Sequence, residues 1–282
     1  MNNSIKDQNK ICLISNTSWY LYNFRLSLIN ELIKKGYKVT LIAPNDKYSN
    51  YLKKKGFRVI NWNLDQSSIN PFIEIKSLIH LFMILQSIKP TIVCNFTIKA
   101  CLYGTIVSKF SKVYKVFNSI TGLGHIFIDD KKRSFFMRII IYPFYYLVFN
   151  SKFSYAILQN KSDQDILLKY KIISKDKSCI IQGSGVDTNH FKNTRNDLTN
   201  IKKSFKLLFP SRLIYEKGFK ELIIACNILW NSNYKFDLFL AGEIDAKSRS
   251  KIKSSDIHLF KKNSNIKFLG HIDNMKEIYS AV

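Results

Sequence analysis

Two hundred and eighty-two residues are enough for two domains at roughly 150 residues each, or one large one, and for a full hydrophobic core. With 46% apolar, 14% aromatic and 23% charged residues the chain is neither disordered nor a low-complexity fibre, and ten glycines with five prolines exclude collagen-like and proline-rich classes. The formal net charge of +24 would attract polyanions, but 37 of the 44 basic residues are lysines in a chain crowded with Asn and Ile, a pattern that an AT-rich genome produces by itself.

In chain order, the polar start MNNSIKDQNK runs into an apolar strand pattern at 11–15 without the apolar core of a secretory signal, so a cytoplasmic location is expected. Further strand patterns fall at 38–43, 58–62, 91–95, 113–119, 155–159 and 178–182. Between them, 22–35 has an apolar helical face built on Phe24, Leu28 and Leu32 and is followed by Gly36; 71–88 and 161–170 read the same way. Alternation of this kind predicts a parallel sheet covered by helices on both faces, an α/β fold. The longest strongly apolar run, residues 139–149, contains Pro143 and falls short of the roughly 20 residues of a spanning helix.

After residue 182 the text turns to GSGVDTNHFKNTRNDLTN, poor in large apolar side chains and rich in turn formers. A shorter βα series follows, with strands at 206–209, 236–241 and 266–269 and helices at 219–230, 247–260 and 275–282. The expected organisation is a first domain over 1–190, a linker over 191–203 and a partial second domain over 204–282.

Five cysteines with no C-x-x-C pair and no Cys/His cluster predict neither disulfides nor a structural metal, and Cys12, Cys94 and Cys179, inside strand patterns, are expected to be small buried hydrophobes. No nucleic-acid-binding motif is present, and the aromatics keep core periods rather than interleaving with the cations, so no nucleic-acid partner is expected.

The segment Phe209-Pro210-Ser211-Arg212-Leu213-Ile214-Tyr215-Glu216-Lys217-Gly218 is the strongest candidate for chemistry. A strand ends, Arg212 stands at its tip, and Lys217 immediately precedes a helix. An arginine fork and a lysine charge at a helix N-terminus together suit a diphosphate. Two solvated loop cations are the plain alternative. Residues 131–149 join a basic cluster, Lys131-Lys132-Arg133, to an aromatic-rich apolar stretch; this fits an element lying among lipid headgroups, and equally a buried crossover helix with a solvated start.

Several segments carry a resemblance. Ser211 to Leu222 as S-R-L-x-x-x-K-G-x-x-x-L, Gly185-Val186-Asp187 with Phe191, and Leu240-Ala241-Gly242 resemble the retaining, family-four glycosyltransferases of GT-B fold. Tyr22-Asn23-Phe24-Arg25, Ser68-Ile69-Asn70-Pro71-Phe72 and Gly122-Leu123-Gly124 with Phe127-Ile128-Asp129 resemble its branch acting on undecaprenyl-diphosphate-linked sugars, the N-acetylgalactosaminyltransferase-like enzymes.

The resemblance implies two Rossmann-like domains, the second incomplete, with acceptor on the first and a nucleotide-sugar donor on the second. It makes Ser211, Arg212, Lys217 and Gly242 donor-binding, with Arg212 and Lys217 stabilising the leaving diphosphate. Asn23, Arg25, Gly124 and His125 become acceptor-binding, His125 also reaching the reacting sugar. A UDP-sugar is the implied co-substrate with no cofactor or metal, and the implied location is peripheral, on the inner face of the plasma membrane. The implied reaction moves a hexose or N-acetylhexosamine to a polyprenyl-diphosphate-linked saccharide.

Some features depart from the family pattern. Its E-x7-E donor segment is absent, Ala241-Gly242-Glu243 lacks a second glycine, and the loop 16–20 lacks a glycine pair. The competing expectation is a truncated, inactive chain that at most holds acceptor lipid.

Overall fold

The computed structural model describes residues 9–122, 132–192, 205–244 and 251–282. The chain forms two compact units, Met1–Val186 and Asp187–Val282. Of the expected linker, residues 193–203 lie outside the described residues.

Seven strands make the first unit's sheet: β1 (Lys10–Ser15), β2 (Lys38–Ala43), β3 (Arg58–Asn61), β4 (Ile92–Phe96), β5 (Lys115–Ile120), β6 (Ser154–Leu158) and β7 (Ser178–Ile180). All neighbours are parallel, in the order β3-β2-β1-β4-β5-β6-β7. Among the described residues its helices are α1 (Ser18–Phe24), α2 (Leu26–Lys34), α3 (Lys47–Lys54), α4 (Pro71–Ile88), α5 (Ile98–Phe110), α6 (Lys132–Phe149) and α7 (Lys161–Lys169).

Strand side chains point alternately to the two faces, and the core divides accordingly. Ile11, Leu13 and Leu41 pack with Leu21, Ile29 and Leu52 of α1–α3. Their neighbours Cys12, Ile14 and Ile42 pack with Trp62 and with Leu81, Ile84, Leu85 and Ile88 of α4. A third cluster joins Cys101 of α5 and Tyr145, Val148 and Phe149 of α6 to Leu158 and Leu167.

Several expectations need correction. The helix expected over 22–35 is two helices, because the backbone leaves helical geometry at Arg25, with φ −125° and ψ 0°. Helices α3 and α5 fill two further crossovers of the expected alternation, for which no bounds were given. Cys179 is exposed on the edge strand β7, whereas Cys12 is buried and burial pushes its thiol up to about 12. In the 131–149 stretch, residue 131 is outside the described residues; the rest is α6, which buries Tyr145, Val148 and Phe149 and exposes Phe144, Tyr146 and Leu147.

In the second unit, β8 (Phe205–Phe209), β9 (Phe236–Ala241) and β10 (Ile266–Gly270) form a parallel sheet in the order β10-β9-β8. Its helices are α8 (Phe219–Asn231), α9 (Ser254–Lys262) and α10 (Met275–Ala281). Leu213, Phe219, Ile223, Cys226, Leu238, Leu240 and Ile266 form the core. The helix expected over 247–260 begins only at Ser254, since Lys251 is bridged antiparallel to Ile214. Residues 245–250 lie outside the described residues.

Two polar devices fix the first unit. Asn95 on β4 donates to Asn118 at 2.9 Å, and Asn118 bonds Thr105 and Ser154, so a buried amide network ties β4, β5, β6 and α5 together. Lys99, at the start of α5, donates to the carbonyls of Asp65 (2.7 Å) and Ser68 (2.9 Å) and to Glu74 Oε1 (2.8 Å), and Tyr103 donates to the other Glu74 oxygen. Burial alone would raise the Glu74 carboxyl; the bonds from Lys99 and Tyr103 with the Lys99 charge outweigh it and hold the group below its ordinary 4.5.

A Gly104→Ala substitution on α5 sets an ordinary helix gain of about 1 kcal/mol against overpacking, which costs about 1–3 kcal/mol. The added Cβ would stand 2.6 Å from Asn95 Cγ and 2.8 Å from Nδ2, and that side chain is held by Asn118. A net loss in urea unfolding is expected. The Glu74 carboxyl, lowered in the folded state, adds stability above its ordinary value that is lost as pH falls through the folded one. Lys99→Met should therefore cost about 1–3 kcal/mol at neutral pH, and the gap to wild type should narrow as pH falls below 4.5.

Candidate functional site

In a parallel sheet the strand order reverses where chains leave in opposite directions, and the crevice at the carboxyl ends of those strands is open for a ligand. In the first unit this point lies between β1 and β4. After β1, Thr17 caps α1 by accepting from Tyr20 N at 3.1 Å, and Asp46 accepts from Trp19 N at 3.2 Å. Two of the amides at the α1 N-terminus are thus already bonded to side chains.

Arg25 sits at the break between α1 and α2. Its guanidinium carbon lies 4.5 Å from the centroid of Phe96, the last residue of β4, and Nη2 donates to Tyr20 Oη at 2.7 Å. Its Nε is buried without a hydrogen-bond partner. The next residue after Phe96, Thr97, has φ +74° and ψ 152°, a region open to glycine and strained for a β-branched side chain. Its Oγ1 is also buried and unbonded. Strained backbone and unmet polar atoms therefore collect at the switch point. Neither Thr97 nor Phe96 was singled out from sequence, and a positive φ at a threonine leaves no composition signal.

Asn23 and Arg25 were expected at the opening of the first helix. They lie instead at the C-terminal end of α1, and Asn23 spends its amide on Trp19 O at 3.0 Å, on the exposed side. Arg25 keeps a helix-start role, because α2 begins at the next residue. Gly124 and His125 lie outside the described residues. The Ser68–Phe72 motif is a helix start: Asn70 accepts from Phe72 N at 3.0 Å, Pro71 occupies the first turn of α4, and Ser68 accepts from Asn70 N at 3.1 Å.

In the second unit, β8 ends at Phe209 and the chain turns through Ser211 and Arg212 into bridges from Leu213 to Ile244 and from Ile214 to Lys251. A 3-10 turn over Tyr215–Lys217 and Gly218 then lead into α8. Arg212 and Lys217 are both exposed. Gly242, at the end of β9, lies against the Ser211 backbone so closely that an added Cβ would stand 2.7 Å from the Ser211 carbonyl carbon. Only glycine fits this approach. Two of the residues expected at the donor site are thereby in direct backbone contact. Leu213 N donates to Glu243 O at 2.9 Å, continuing the same contact.

The loop is braced from α9. Tyr215 Oη donates to Asp256 Oδ2 at 2.5 Å and accepts from Lys253 N at 3.2 Å. The bond from Tyr215 holds the Asp256 carboxyl below its usual range, and the same bond raises the Tyr215 phenol. Among the described residues no group of three or more His, Cys, Asp or Glu side chains is placed to hold a metal ion.

Residues 10–161 match the family described as glycosyl transferase 4-like, and residues 190–282 match glycosyl transferases group 1. A Campylobacter jejuni N,N'-diacetylbacillosaminyl-diphospho-undecaprenol alpha-1,3-N-acetylgalactosaminyltransferase is 26% identical over 230 residues, 78% of this chain and 60% of the relative. A Staphylococcus aureus capsular polysaccharide biosynthesis glycosyltransferase is 23% identical over 275 residues, 89% of this chain and 66% of the relative. The chain thus spans less than two thirds of the length of these relatives. The Anabaena protein HepE, solved in complex with UDP and glucose, superposes with a TM-score of 0.69 at 16% identity, covering 96% of this chain and 72% of the other. With the family matched over more than half its length and two parallel-sheet units of the GT-B kind, the chain belongs to the glycosyl transferase 4-like family.

Proposed function

We propose that this protein is a retaining glycosyltransferase that moves a hexose or N-acetylhexosamine from a UDP-sugar to a polyprenyl-diphosphate-linked saccharide, working at the cytoplasmic face of the membrane. The observation that carries this reading is the loop from Ser211 to Gly218, which carries two exposed cations into the start of α8 in the unit that matches group 1 transferases. Support for the acceptor class comes from the relative named for a diphospho-undecaprenol substrate.

In this reading the donor diphosphate lies against Arg212, Lys217 and the first amides of α8. A guanidinium fork, an ammonium and a helix N-terminus all favour negative charge, and most of all the charge that develops as the diphosphate leaves. The bond between the sugar's anomeric carbon and the phosphate oxygen breaks, the acceptor oxygen bonds to that carbon on the same face, and the acceptor proton passes to the departing phosphate. Ser211 and Gly242 set the position of Arg212 through their backbone contact. On the first unit, the Arg25 guanidinium at the switch point takes the acceptor diphosphate, and Gly124 and His125 carry the acceptor-side roles that their motif implies.

The test supplies radiolabelled UDP-sugars and a polyprenyl-diphosphate-linked saccharide to the protein and follows label into the organic phase. Transfer from at least one UDP-sugar is expected. Because a hydrogen bond to a charged group contributes about 1.5–3 kcal/mol, Arg212→Ala and Lys217→Ala should each weaken UDP binding in calorimetry by about 10- to 150-fold. Both side chains are exposed, so circular dichroism should not change. UDP affinity and transfer that survive both substitutions would overturn the donor assignment.

A further inference from the structure

The outward face of α4 is unusual for a helix of a sheet-covering layer. Leu81, Ile84, Leu85 and Ile88 are buried in the sheet core. On the opposite side Phe72 (77% exposed), Ile75, Ile79 (54%), Phe82 and Met83 (56%) fall at three- and four-residue steps into one stripe, extended at its start by Ile69, 94% exposed. An exposed helix face normally carries charge; this one has Lys76 as its only ionised side chain, since Glu74 is turned to Lys99. The stripe runs the length of the helix, about 27 Å.

At the far end, Gln86 Nε2 donates to Phe110 O at 3.4 Å, joining α4 to the last residue of α5. There Phe110 and Tyr114 are exposed beside the exposed Lys109 and Lys112, with Lys89 at the end of α4 itself. The 18 residues of α4 have a mean hydropathy of 1.3, long and apolar enough by composition to cross a membrane. Packing forbids that, because the helix connects β3 to β4 of one sheet and lies flat on it.

We propose that the outward face of α4, with Phe110, Tyr114 and the lysines around them, is the surface by which this protein lies on an anionic lipid bilayer. Apolar side chains enter the acyl boundary while lysines stay among the headgroups, which is how an interfacial helix binds. Charge selects the occupant. A second copy docked face to face would set these lysines against lysines, whereas phosphatidylglycerol headgroups supply the opposite sign. The proposal deepens the membrane-surface part of the functional reading and rests on it for its purpose: the start of α4 is clamped through Lys99 to the residues that follow Thr97, so docking would hold the switch point near the headgroups.

Co-sedimentation of the whole chain with phosphatidylcholine vesicles, with or without about one third phosphatidylglycerol, tests it. The parent should bind the anionic vesicles and bind the neutral ones weakly. Joint Phe72→Ser, Ile79→Ser and Met83→Ser should lower that affinity by on the order of tenfold or more, and Lys76→Glu alone should lower it measurably should the triple variant fold poorly. Joint Ile224→Ser and Ile228→Ser, on α8, should leave it unchanged. Vesicle binding retained by both α4 variants, or a parent that ignores anionic vesicles, overturns the proposal. So does a parent dimer that the α4 variant converts to monomer, which would assign the face to a second copy. The vesicles carry no acceptor, so failure to dock and failure to transfer sugar are read separately.

Discussion

The crossover through α4 is the constraint on which the first unit depends. Strands β1, β2 and β3 step outward in one direction, and the chain must then return across the sheet before β4 can pair with the free side of β1. A right-handed crossover places the returning helix on the face opposite α1–α3, and the division of the core follows it: Cys12 and Ile14 meet α4 while Ile11 and Leu13 meet α1 and α2. Two consequences come from this one step. The order reverses between β1 and β4, which opens the switch point that Arg25 and Thr97 border. The returning helix also spans the sheet with a single face buried, leaving the other to solvent or to a partner.

The second unit depends on a closer contact. Gly242 backs onto Ser211, and a methyl group at that position would displace the peptide that carries Arg212. The bridge from Leu213 to Ile244 and the Tyr215–Asp256 bond brace the same loop from two further directions. On the proposed reading, a loop backbone held this way lowers the ordering cost of binding an anion, which is the condition for preorganised charge stabilisation.

The strands of both sheets were legible because parallel strands buried on both faces read as short, nearly continuous apolar runs. The start of the first helix was not: its cap uses Thr17 and Asp46, residues from two different loops, and the apolar period becomes visible only from Tyr22, past the true start. That error moved Asn23 and Arg25 from one end of a helix to the other. The solvent face of α4 was illegible for a different reason. The stretch reads as a helix with one apolar face, but apolar residues occur all round it, so the period gives no sign of which half meets the sheet. The loop from Ser211 to Gly218 was visible as a cation-bearing strand-to-helix turn, yet its bracing by Tyr215 and Asp256 joins residues 41 positions apart, beyond any local pattern.

On the proposed reading, the second unit receives the nucleotide through the loop between β8 and α8. Backbone amide resonances followed during titration with UDP test this directly. Shifts are expected at Arg212, Lys217, Gly218 and Phe219, with the amides of Ser15, Arg25 and Thr97 unmoved. Saturable shifts confined to Ser15, Arg25 and Thr97, with none in residues 211–220, would contradict it.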